Sequence, residues 1–135
     1  MSATNFELIK EVKNIRVPRI SFVMAKEKIL GKSYELSVSF VSASTSARLN
    51  KKFRNKNYPT TILSFPLSKT SGEIILEPKT IRIQAKEFGM KESKFLLFLF
   101  IHGLLHLAEY EHGSTMKEAE RKWCTYFNIA YPDHE

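Results

Sequence analysis

Residues 95–108 read FLLFLFIHGLLHLA, fourteen positions whose only polar side chains are two histidines. A helix this apolar on every face belongs inside a protein. It falls short of the ~20 apolar residues that cross a bilayer, so the expectation is a core helix with no membrane association. The rest of the chain must then supply the layers that bury it.

The length allows this: 135 residues with 43% apolar content suit a single domain, residues 1–135, built around one core. FELIKEV reads as a first strand. In PRISFVMAKEKILG, residues Ile20, Val23, Met24, Ile29 and Leu30 have helical spacing, closed by Gly31. YELSVSFVS is the clearest strand, with Leu36, Val38 and Phe40 alternating with Glu35, Ser37 and Ser39. The Ser/Thr cluster from Ser42 supplies caps for a short helix carrying Leu49 and Phe53. RNKNYPT is a turn, TILSFPL and EIILE are strands, and Pro78 opens a helix that stops at Gly89. A helix from Lys91 runs into the histidines, and a last one should bury Met116, Ala119, Trp123 and Phe127. The class expected is α+β (α/β-like): a small mixed sheet of about four strands flanked by helices, with a histidine-bearing helix at its core.

The formal charge is +7, and Arg48, Lys51, Lys52, Arg54 and Lys56 crowd one stretch. Such a field draws in polyanions, nucleic acid above all, although many soluble proteins carry as much lysine. The single cysteine, Cys124, has no internal partner, which excludes an internal disulfide and suggests no disulfide-linked partner. No secretory pattern opens the chain, so a reducing cytoplasm is the expected setting.

Three of the four histidines fall within HGLLHLAEYEH. His102 and His106, at i and i+4, project from one face of a helix and can reach one ion. His112 comes after a segment long enough to fold a third imidazole back to the same point. Three neutral imidazoles and an open fourth position make a catalytic zinc arrangement. A lone histidine on an apolar helix is more often a satisfied core residue, but three in so short a span need three partners, and one cation satisfies all. The spacing is shared with metzincin zinc peptidases, whose glutamate after the first histidine is the general base. Here that position is Gly103. A mid-helix glycine costs about 1 kcal/mol relative to alanine, so it signals a need for space: close helix packing, or room for a substrate backbone.

HGLLHLAEYEH resembles the H-G-x-L-H-L-x-G-Y-D-H signature of the YbeY family, bacterial endoribonucleases of ribosomal RNA maturation and ribosome quality control. LNKKFRNKNYPTTILSFP and GEIILEPKTIRIQAKEFG resemble two upstream blocks of the same family, in the same order. The resemblance implies a small α/β metalloprotein fold, one Zn2+ per chain held by His102, His106 and His112, and single-stranded RNA as substrate. It also implies that Arg54 lines the active-site cleft and contacts phosphate. Asn57, Thr61, Glu73 and Glu111 depart from the family pattern, and so does Glu109, where the signature has a glycine. A residue other than glycine there must adopt a positive φ or turn differently.

The expected function is a zinc-dependent endoribonuclease, a metal-dependent hydrolase specific for single strands and acting in 16S ribosomal RNA maturation, with the small ribosomal subunit as partner. Arg54 is the candidate catalytic residue, and Lys51, Lys52 and Lys56 would join it in holding phosphates. The alternatives are a metallohydrolase of another class, such as a metzincin-like peptidase or an amidohydrolase, and a non-catalytic ribosome assembly factor stapled by structural zinc. Trp123 and Phe127 are read as core, Cys124 as buried and inert, and Ser64 as a residue that could line the cleft.

Overall fold

A computed structural model of the chain describes residues 5–55, 60–109 and 114–132. Its elements are β1 (Phe6–Lys10), α1 (Arg19–Ile29), β2 (Glu35–Phe40), α2 (Ala43–Arg54), β3 (Ile62–Ser68), β4 (Ser71–Leu76), α3 (Pro78–Glu87), α4 (Glu92–Leu107) and α5 (Ser114–Tyr126). The strands make one mixed sheet in the order β1-β2-β4-β3. β1, β2 and β4 are parallel, and β3 is antiparallel to β4 at the edge. This is the α+β architecture expected from the sequence.

The two faces of the sheet differ. The alternation of β2 sends Leu36, Val38 and Phe40 to one side, where they are almost fully buried. Register places Gly72, Ile74 and Leu76 of β4 beside them. This side carries α4, whose Leu107 lies over Gly72. On the opposite side α2 packs through Leu49 on Val41, Leu63 and Ile75. α2 starts where Ser42 accepts from the Thr45 N–H at 3.2 Å. Glu11 reinforces that start by accepting from the Ser42 N–H at 2.8 Å, a bond that, with the Thr45 hydroxyl, holds its carboxyl below the ordinary range.

α1 sits one face away from expectation. Phe22, Ala25 and Lys26 are buried, whereas Ile20 is 78% exposed and Met24 39%. Two apolar stripes compete on this helix, and the choice falls to the partner: Phe22 stacks flat on Phe100 of α4, ring centroids 3.9 Å apart. Lys26 shares the buried face because its stem packs while its ammonium donates to the Lys32 carbonyl at 2.9 Å. Burial pushes its pKa down. Ile29 and Leu30 do pack against the core.

This placement separates two substitutions on one helix. Phe22→Ala should cost about 3–5 kcal/mol in chemical denaturation. Ile20→Ala should stay within about 0.5 kcal/mol; the reverse order would put α1 the other way round.

Candidate active site

α4 delivers the site. His102 and His106 stand one turn apart, half-buried, with their Nε2 atoms 3.0 Å apart and their rings nearly perpendicular at 84°. The Nδ1 of His102 meets the Glu120 carboxylate of α5, and the other carboxylate oxygen accepts from the Tyr131 hydroxyl at 2.8 Å. An ionised carboxylate can only accept, so it keeps the His102 proton on Nδ1 and leaves Nε2 with its lone pair. Glu120 is only 5% exposed. Burial alone would raise its pKa, but the hydrogen bonds from His102 and Tyr131 hold it below the ordinary range. Tyr131 is pushed up to about 12, by burial first and then by donating to Glu120. Cys124, buried as expected, is pushed up to about 11 by burial and by the Glu120 charge.

Glu120 is a residue that sequence reasoning missed. It lies in KEAERK, which has the look of a solvated face. The available signal was phase: Met116, Glu120 and Cys124 succeed one another at i+4 steps, and all three are buried. Trp123 and Phe127, expected inside with Met116 and Ala119, are half-buried and pack against the core.

The histidines open into a cleft of about 360 Å³ lined by Arg54, Thr60, Ile62, Leu63 and Ser64. Arg54 ends α2, and Asn55 turns the chain there with φ 55. Thr60 is tied to α2 by the buried Ser46 hydroxyl, which donates to its carbonyl at 2.8 Å and accepts from its N–H at 3.0 Å. The structure thus brings together His102, His106, Arg54 and Ser64. Lys51 and Lys52 are exposed on α2 and are not among the residues lining this cleft. His112 and Lys56 lie outside the described residues. Among the described residues, no group of three His, Cys, Asp or Glu side chains is placed to share a metal ion.

Gly103 answers a packing need. A Cβ there would meet Ile62 Cδ1 at 3.0 Å and Ile74 Cδ1 at 3.1 Å, so its missing side chain points at the sheet. Space for a substrate backbone is not what the glycine provides, and a glutamate in its place would enter the core.

The family model described as Endoribonuclease YbeY matches residues 3–124. The chain belongs to the YbeY endoribonuclease family. The Bacillus subtilis protein of that name is 31% identical over 129 residues, 84% of this chain and 79% of that protein. The Halalkalibacterium halodurans one is 35% identical over 108 residues, 68% of each. With the Bdellovibrio bacteriovorus one, 36% identical over 87 residues, the match spans 63% of this chain and 58% of that protein, less than two thirds of its length. The solution structure of a Thermotoga maritima protein is similar to this fold with a TM-score of 0.63 and 27% identity, over 96% of this chain and 99% of that one.

Where the YbeY signature carries a glycine, Glu109 adopts the glycine conformation, φ 71, and its N–H donates to the His106 carbonyl at 2.9 Å. The turn after the paired histidines is therefore left-handed, at the steric cost a Cβ incurs there. Glu109→Gly should stabilise the protein by about 1 kcal/mol, raising the denaturation midpoint with the slope unchanged. No gain would mean that the Glu109 side chain offsets the strain.

Proposed function

We propose that this YbeY-family chain is a zinc-dependent endoribonuclease that cuts single-stranded RNA, with small-subunit ribosomal RNA as the substrate during 16S maturation and quality control. The observation that carries the reading is the cleft: two imidazole nitrogens 3.0 Å apart and the Arg54 guanidinium line the same cavity. The donor set fits a transition-metal ion. The Nε2 atoms of His102 and His106, on adjacent helical turns, converge, and the carboxylate behind His102 is the usual second partner of a ligating imidazole. His102 and His106 would hold zinc, with His112 as the third ligand named by the motif. Zinc when bound supplies Lewis acidity toward a phosphoryl oxygen.

The protein's own groups do the remainder. Glu120 fixes the tautomer and ring orientation of His102, and Tyr131 fixes Glu120. Arg54 offers a planar fork of donors to phosphate oxygens and to the charge that develops on them. Lys51 and Lys52, exposed on the same helix, and Lys56 in the segment after it, hold flanking phosphates and make binding weaken with salt. A peptidase reading loses its general base, since position 103 faces Ile62 and Ile74.

Elemental analysis of untagged protein should find about one zinc per chain, and His106→Ala should lower it below about a tenth. Wild type should cleave single-stranded RNA and leave casein intact, and Arg54→Ala should slow cleavage by about 10²-fold with zinc retained. Casein cleavage without RNA cleavage, or metal content indifferent to His106→Ala, would overturn the reading. Separately, Glu120→Gln should weaken zinc affinity by about 10–100-fold in chelator competition while leaving the fold intact.

A further inference from the structure

The cleft does not end at Arg54. Arg54, Leu63 and Ser64 line a second groove as well, about 800 Å³, on the sheet face that α2 leaves half uncovered. Its walls are apolar: Val41, Ile75, Phe65 and, at the rim, Phe53 and Leu67, which are 51% and 63% exposed. Phe53 and Phe65 are stacked, centroids 5.1 Å apart and planes tilted by 27°. We propose that this groove is a nucleobase subsite: an unpaired base of single-stranded RNA, flanking the phosphate held at Arg54, stacks on the Phe53–Phe65 pair. The inference rests on the RNA reading above and adds where and how a base is held.

Three observations select this occupant. First, the groove is continuous with the cleft through Arg54, so a strand whose phosphate meets the guanidinium reaches the aromatic pair with its neighbouring base. Second, cations surround an apolar floor. Lys52 Nζ lies 5.4 Å from the Phe53 ring centroid, and Lys51 is exposed on the same helix. Aromatic faces under a cationic rim bind unstacked bases with their phosphates, and every base has a face to stack. Third, β3 is the edge strand, and Pro66 with a register shift between Pro66 and Ser68 blunts that edge, so strand addition by a second chain alongside the groove is disfavoured.

Glu73 gives the groove polar selectivity. It pairs in register with Phe65 across β3 and β4 and lines the same groove. Burial pushes its carboxyl up, and among the described residues no hydrogen bond or ion pair meets it. A base N–H is the kind of donor such a carboxylate takes.

The test uses the full chain with two probes: a short single-stranded RNA carrying 2-aminopurine, and inorganic polyphosphate, which offers the charge without bases. Phe53→Ala should weaken RNA binding about tenfold, remove the quenching of 2-aminopurine seen on binding, and leave polyphosphate affinity unchanged. Phe53→Tyr should behave as wild type. RNA affinity indifferent to Phe53→Ala, equal weakening toward both probes, or RNA bound by wild type without quenching would overturn the base subsite and leave the RNA reading standing. Wild type that binds neither probe would overturn both.

Discussion

Burial of α4 is the constraint on which the other elements depend. Ten residues of this helix are buried, Leu96, Phe100, Ile101 and Leu104 completely, so its central turns are enclosed on nearly every side. α1 closes one side through the Phe22–Phe100 stack, and the sheet closes another through Ile62 and Ile74. Polar groups on such a helix are tolerated only where partners are brought to them. His102 and His106 are the polar side chains of its last turns, and the fold meets them with Glu120 and Tyr131 on one side and an open cleft on the other. The same packing that buries the helix thereby aims two imidazole nitrogens at the cleft.

The sheet divides the work between its faces. The side under α4 is built on Leu36, Val38, Phe40, Ile74 and Leu76, and the absent side chain of Gly103 is what lets the helix approach Ile62 and Ile74 closely. The other side carries α2, which serves as packing through Leu49 and ends in the basic residues Lys51, Lys52 and Arg54. β3 is common to both sides, with Ile62 toward α4 and Leu63 and Phe65 toward α2. An edge strand with both neighbours leaves the cleft and the apolar groove adjoining along one border.

The legible parts of the sequence were those with a single dominant period. β2 alternates cleanly, α4 is apolar throughout, and Pro78 with Gly89 brackets α3, so each was placed from residues alone. α1 was recognisable as a helix but its inner face was not, since Ile20, Met24 and Phe22 define competing stripes and only the Phe100 ring decides between them. His102 and His106 were readable because i and i+4 fix their common face. Arg54 entered through family resemblance, because nothing local to α2 says that its end meets the end of α4. Glu120 stayed hidden because a buried carboxylate in a charged helix has the composition of a surface.

Among the described residues, three other than glycine adopt positive φ: Asn55, Asn128 and Glu109. Two are asparagines just past helices α2 and α5, where a short polar side chain tolerates the left-handed region. Glu109 has no such excuse, and its N–H still closes the end of α4 on His106. The packing of α5 holds it there: Met116, Ala119 and Cys124 are buried in the core, and Glu120 reaches back to His102. Docking of α5 outweighs a local strain of about 1–2 kcal/mol. Sequence and fold therefore disagree at one turn, between the paired histidines and the carboxylate that orients one of them. Local conflict of this kind persists where the surroundings over-determine a conformation, and that happens preferentially at sites of function.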